Sequence, residues 1–260
     1  MKRRLGHGAA EIRHTIFDDW MWIRIVFGLF CVTVAYAIWF LAFGKHTPKR
    51  EDIAPIVTLA IAVFGVTQGI LRWLAVPDPA IERGPLVPVH GGFGILHIRV
   101  WNCDVARWLR PLVVRTAPRG CKVHVRYTQN GNVVLGWLLA RWNENPEPLT
   151  QTQTGIQPDP RLMAENRRLG RLYPTDRTGE FAQPYEVAFA IKEDGQNDFH
   201  HFNDESYPHQ PGWRNPAWAL SQGAYGVEVA ITGYGLIRAA RASFRLRNDG
   251  TSLKDFGWPD

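Results

Sequence analysis

Cysteine is scarce in this chain, and what there is has no metal-site spacing. Of three cysteines in 260 residues, Cys31 lies in an apolar run and only Cys103 and Cys121 fall outside one, a separation that fits no zinc pattern. Such a pair can bridge in an oxidising compartment or stand as two thiols in a reducing one, and both remain open. Signatures of catalysis are also missing. No G-x-S-x-G elbow, H-E-x-x-H helix or Walker loop occurs. Ser221 and Ser243 have no motif around them, and Asp204-Glu205 has no context for acid–base work. Gly91, Gly92 and Gly94 precede a strand instead of joining a strand to a helix, so they fail the context of a phosphate cradle. No cofactor is expected, and an enzyme is unsupported. Nor is one sign of charge concentrated anywhere. Up to Arg83, 10 basic and 7 acidic residues give +3; beyond it, 20 and 17 give another +3. That is far from the basic footprint of a nucleic-acid binder, and nucleic acid is not expected as a partner.

Against these absences stand two long apolar runs, Ile25 to Phe43 and Ile53 to Leu71, divided by GKHTPKRED. Each counts 19 residues, and at about 1.5 Å per residue that approaches the ~30 Å hydrocarbon core of a bilayer. Trp20, Trp22 and Arg24 flank the first run, and Arg72 and Trp73 the second, as interfacial residues flank membrane spans. Ala35-Tyr36-Ala37 resembles a cleavage site, but it lies inside the first run, which favours retention as an anchor. The sequence therefore predicts a tail over residues 1–19 and a transmembrane helical hairpin over residues 20–76, with the lipid bilayer as partner. Seven cations flank the spans on the terminal side against three in the connecting loop. The positive-inside rule then expects a multi-pass inner-membrane protein with both termini and the head cytoplasmic. On the second span, Gly65 and Gly69 with Gln68 beside them form a small-residue contact motif. It fits association with the first span or, as a homo-oligomer, with a second copy.

Beyond a linker over residues 77–94, the chain reads as β-rich. Leu96, Ile98 and Val100 alternate with His97, Arg99 and Trp101, and Cys121, Val123, Val125 and Tyr127 alternate with Lys122, His124 and Arg126. Period two over such lengths indicates half-buried strands. Asn130-Gly131 is a hairpin turn signal and makes Val133 to Trp142 the partner strand. Tyr185, Val187, Phe189 and Ile191 alternate with Glu186, Ala188, Ala190 and Lys192, with Phe199 to Phe202 as a short return. Tyr225 to Ile231 and Ala240 to Leu246 complete about seven strands, the pattern of a two-sheet sandwich or small barrel over residues 95–250. Residues 251–260 read as a tail.

A long insert, residues 143–184, interrupts the strands. Its ordered piece is a short helix, with Asp159 as N-cap, Pro160 at the first helical position and Gly170 past the end. Arg161, Arg167 and Arg168, with Arg171 beyond, give it a basic face suited to lipid phosphates or a partner, or simply to solvent. The segment FHHFNDESYPHQPGW gathers His200, Asp204 and His209 as candidate metal ligands. In a strand His200 and His201 face opposite ways, so only one of them can join such a site. The competing reading is a polar turn flanked by core aromatics.

The order of a strand ending Val100-Trp101-Asn102, a strand CKVHVRY, the Trp-containing GWLLARW and a closing pair GAYGVEVAI and ASFRLRND resembles immunoglobulin-like sandwich domains of uncharacterised prokaryotic proteins. The resemblance covers most of Leu96 to Asp249, rests on packing motifs and implies a fold without an activity. The fold class expected is thus an N-terminal two-helix transmembrane hairpin followed by an all-β immunoglobulin-like sandwich with a long insert. The function expected first is a membrane-anchored binding module at the inner membrane face, taking a protein or small ligand at the head. One alternative is a ligand-gated two-helix effector, similar in layout to antiphage effectors whose small β-barrel senses cyclic nucleotides. The other is a membrane-tethered enzyme.

Overall fold

The computed structural model describes residues 50–153, 155–169, 172, 174–175, 183–209 and 213–259, in two units that divide after Leu74. The described part of the first unit is a single helix, α1 (Arg50–Leu74). It opens on Arg50, Glu51 and Asp52, and its apolar run is interrupted by Pro55, Thr58, Thr67 and Gln68. The Thr67 hydroxyl bonds back to the Val63 carbonyl at 2.8 Å. Among the described residues no helix is long and apolar enough to cross a membrane. This corrects the expected transmembrane hairpin and, with it, the expected multi-pass inner-membrane placement. The expectation rested on run length and interfacial flanking residues, which a span requires and which do not by themselves establish one. The first run, Ile25 to Phe43, lies outside the described residues.

The second unit is β-rich, as its alternating residues require. In chain order its elements are β1 (Pro79–Val89), β2 (Phe93–Cys103), β3 (Arg119–Gln129), β4 (Asn132–Leu139), β5 (Arg141–Trp142), β6 (Leu149–Thr152), β7 (Gly155–Pro158), α2 (Pro160–Leu169), β8 (Pro174–Thr175), β9 (Tyr185–Glu193), β10 (Phe199–His201), β11 (Ala219–Leu220), β12 (Gly223–Tyr234), β13 (Ala240–Asn248) and β14 (Phe256–Gly257). One sheet runs β1-β2-β9-β10-β11, with β5 also on β9 and β8 parallel to the end of β2. The other runs β14-β13-β12-β3-β4, and β6 and β7 pair only with each other. Leu96, Ile98 and Val100 of β2 and Val187 and Phe189 of β9 share one buried cluster with Val123, Val125 and Tyr127 of β3 and Val227, Val229 and Ile231 of β12. The two sheets thus close as a sandwich over a common core, in which each fully buried large side chain contributes about 1.5–3 kcal/mol.

Asn130 and Gly131 turn β3 into β4 with φ of 52° and 83°, the positive pair that a type I′ hairpin needs. Elsewhere the elements extend past their expected limits. Residues read as linker form β1, which pairs antiparallel with β2 from Pro79↔Asn102 to Val89↔Phe93. Its prolines and glycine broke the period-two pattern, and at a sheet edge they are tolerated because the outer N–H groups need no partner. Residues read as a tail also belong to the sandwich. Phe256 of β14 is buried, and Trp258 stacks on Phe189 at 5.6 Å while its Nε1–H donates to the Gly84 carbonyl at 2.7 Å.

Neither Cys103 nor Cys121 forms a disulfide among the described residues. A reductant is therefore expected to leave the β-rich circular dichroism spectrum and the unfolding midpoint unchanged. A midpoint that falls on reduction would show that a disulfide contributes.

Candidate functional site

The segment Val133 to Trp142 reads as one strand but is two. β4 ends at Leu139 in the five-stranded sheet, and after Ala140 the chain enters the other sheet as β5, where Arg141 and Trp142 pair with Ala188 and Val187. At this crossing the Leu139 carbonyl accepts from His201 Nε2 at 2.7 Å and from Asn203 Nδ2 at 2.9 Å. A carbonyl only accepts, so Nε2 carries the proton and Nδ1 accepts from the Tyr127 hydroxyl 3.0 Å away. That hydroxyl also lies 3.1 Å from the Phe189 carbonyl. Burial of His201 drives its pKa down to about 4, and burial raises that of Tyr127 well above the ordinary phenol value. Both rings are neutral structural elements near neutral pH.

Arg141, a cation inside an otherwise apolar stretch, points at the same region. Its guanidinium is buried; Nε donates to Asp204 Oδ1 at 2.9 Å and Nη2 to the Asn145 carbonyl at 2.7 Å. Asp204 opens a short 3-10 turn whose N-cap is Asn203, with the Asn203 side chain accepting from Glu205 N–H at 2.8 Å. The insert supplies the opposite wall. Asn145 Nδ2 donates to the Asn166 carbonyl at 3.1 Å, and Asn166 Nδ2 donates to the Pro146 carbonyl at 2.9 Å. α2 thus fixes Asn166 across from the turn, and its own start is set by Asp159, whose carboxylate accepts from Arg161 N–H at 2.8 Å.

Between these walls lies a small pocket with a cavity volume of about 30 Å³, lined by Trp142 and Asn145, by Asn166 and by Asn203 to Glu205. Cys121 and Lys122 of β3, with Leu139 and Ala140 at the strand crossing, complete it. Three features set its chemistry. Its lining carries both signs of charge, Asp204 and Glu205 against Lys122, with Asp204 also held by Arg141. Asn166 is 2% exposed and its Oδ1 has no hydrogen-bond partner among the described residues, whereas nearly all buried acceptors are paired. The donor role of Nδ2 toward Pro146 fixes which end of this amide is the oxygen. Finally, neither the thiol nor the imidazole nearest the pocket is poised as a nucleophile or base. Burial pushes the Cys121 thiol up to about 11, so it stays protonated, and both nitrogens of His201 are engaged.

No protein-family model and no curated protein matches this chain. The residues singled out from sequence scatter over the fold. His200 is half-buried on β10, with Arg214 close enough to lower its pKa further below the value that burial sets. Its neighbour His201 faces the interior. Asp204 is taken by Arg141, and His209 follows the 3-10 turn, its N–H donating to the Ser206 carbonyl at 2.9 Å. Among the described residues no three His, Cys, Asp or Glu side chains gather as a metal site. Arg161 is exposed at the start of α2; the side chains of Arg167 and Arg168, and all of Arg171, lie outside the described residues. Gly65, Gln68 and Gly69 are exposed on α1, and a methyl group added at either glycine would touch nothing described within 4 Å. Of the pocket residues, only Asp204 was singled out as a ligand from sequence. Asn145, Asn166 and Asn203 carry no motif, and the lone Arg141 in LLARW was the one available signal.

Proposed function

We propose that the strand domain is a binding module for a small ligand presenting N–H donors, an amine or guanidinium compound, whose charged head enters the pocket between α2 and the Asn203–Glu205 turn while the rest of the ligand lies at its mouth. The unpartnered, fully withdrawn Asn166 Oδ1 carries this reading. A buried acceptor without a donor costs about 1–3 kcal/mol, and a ligand N–H that reaches the oxygen on a small shift of the pocket wall would recover that cost. Glu205 at the exposed mouth supplies negative charge for a cationic ligand, and Asp204 and Asn203 are held rigid by Arg141 and by the turn, so the walls are formed before binding. The neutral thiol of Cys121 and the engaged His201 favour binding over catalysis. The immunoglobulin-like resemblance adds to this reading only a scaffold that presents loops and turns to a ligand.

Putrescine and agmatine serve as probes, with glycerol and acetate as controls. Titration calorimetry on the full chain is expected to show saturable binding of the cationic probes alone. Glu205→Gln and Asn166→Leu are each expected to weaken it roughly ten- to hundredfold, the effect of losing a hydrogen bond to a charged group worth about 1.5–3 kcal/mol. Absence of saturable binding, or equal binding in both variants, sinks the proposal.

A further inference from the structure

The sandwich has an apolar end that its core does not explain. Between β2 and β3, the loop of residues 104–118 buries Val105, Leu109 and Val113 at a helical spacing and leaves Trp108, Leu112 and Val114 exposed by 48%, 59% and 74%. The Leu109 carbonyl accepts from the N–H groups of Leu112 and Val113, both at 2.9 Å, which fixes that division. Beside it the turn from β12 to β13 exposes Tyr234 by 83% and Ile237 by 76%. The two segments are neighbours: Tyr234 pairs with Arg119, its ring covers Gly120, and Gly235 lies against Pro118. Five of the ten exposed large apolar side chains described in the strand domain therefore sit on two adjacent loops. Single exposed apolar residues are ordinary, but a cluster of this kind marks an interaction surface.

The charges around it select the partner. Acidic residues nearby are held by internal ion pairs, Asp104 with Arg110 at 3.0 Å and Asp78 with Arg115 at 3.3 Å. Arg119, Arg238 and Arg241 are exposed and border the apolar loops with net positive charge. Trp and Tyr among aliphatic side chains, rimmed by arginine, match the boundary between acyl chains and anionic headgroups: the rings suit the interface and the guanidiniums suit phosphate. We propose that this end of the sandwich docks on an anionic lipid surface, inserting Leu112, Val114 and Ile237 at the depth of the headgroups and placing the three arginines against lipid phosphates. This contact is peripheral, made by loops of the strand domain, and is independent of the ligand pocket.

Vesicle flotation of the full chain tests it, with phosphatidylcholine alone and with about one third phosphatidylglycerol added, circular dichroism verifying that each variant is folded. The expected result is stronger partition to the anionic vesicles. The triple variant Leu112→Ser, Val114→Ser, Ile237→Ser should lower that partition roughly tenfold or more. Arg238→Glu with Arg241→Glu should remove the preference for anionic lipid, about fivefold for each arginine. Unchanged partition in both variants would assign any vesicle binding to another part of the chain and overturn the proposal. So would a dimer in solution that the triple variant dissociates, since the apolar loops would then be covered by a second copy.

Discussion

Acidification from about pH 7.5 to about pH 4.5 is expected to destabilise the strand domain by about 2–3 kcal/mol through His201. The folded state holds this ring neutral, with its pKa lowered from 6.5 to about 4 by burial. The unfolded chain takes up a proton as pH falls below 6.5 and the folded chain does not. The stabilisation is thus complete above pH 6.5, declines between 6.5 and about 4, and is gone below that. Burial shifts His97, His124 and His200 in the same direction, so they add to the same slope. Urea unfolding at the two pH values, for the native chain and for His201→Gln, measures the effect. The glutamine amide keeps a donor toward Leu139 and an acceptor toward Tyr127 but does not titrate, so the variant should lose most of the acid sensitivity. Identical pH dependence in the two proteins would show that His201 is not held neutral by the fold.

Replacing Lys192 by Met is expected to cost about 3–5 kcal/mol, a large part of the 5–15 kcal/mol that separates a typical domain from its unfolded state. The Lys192 side chain is 0% exposed, and its ammonium donates to Asn248 Oδ1 at 2.7 Å, the Gln196 carbonyl at 2.8 Å and the Gly250 carbonyl at 2.9 Å, with the Asn197 carbonyl at 3.4 Å. Three N–H groups thus pin the turn after β9, in one sheet, to the end of β13, in the other. Burial lowers the pKa of this lysine, and Asp198, Asp255 and Asp194 act against that shift. Methionine preserves the length and apolar stem, so the loss reads the orphaned acceptors and the missing charge rather than a void. A urea midpoint for Lys192→Met within about 0.5 kcal/mol of the native value would mean that solvent or a neighbouring donor satisfies these carbonyls.

Lys192 also marks where sequence patterning stops being sufficient. Strict alternation puts it on the solvent face of its strand, opposite Val187, Phe189 and Ile191. In the structure β2 pairs Leu96 with Ala190 and the next residue, His97, with Ala188, so Phe189 is an extra residue, a bulge. Past the bulge the faces exchange: Ala190 joins the inter-sheet core, Ile191 joins a second cluster with Phe202 and Tyr207, and Lys192 turns inward. One inserted residue reverses a period-two assignment, and nothing in YEVAFAIKE announces it. The pocket was hidden for a related reason. Its asparagines lie far apart in sequence, and only the crossing at Ala140 and the docking of α2 bring them together.

What the sequence by itself determined is local. Alternation specified the strands from Leu96, Cys121, Tyr185, Tyr225 and Ala240, because a half-buried strand must repeat every second residue. Asn130-Gly131 specified its turn, because positive φ selects those residues. Asp159-Pro160 specified the start of α2, because a helix start needs a side-chain acceptor and can dispense with an N–H. Tertiary structure decided whatever depended on partners distant in sequence. β1 and β14, short of pattern, exist because neighbouring strands complete them. The interior places of His201 and Lys192 exist because the Leu139, Gln196 and Gly250 carbonyls are there to receive their protons. The apolar run of α1, read as a membrane span from its length and its flanking Arg72 and Trp73, was not decided by those signals, because they are required of a span without establishing one, and no described helix is long and apolar enough to cross a membrane.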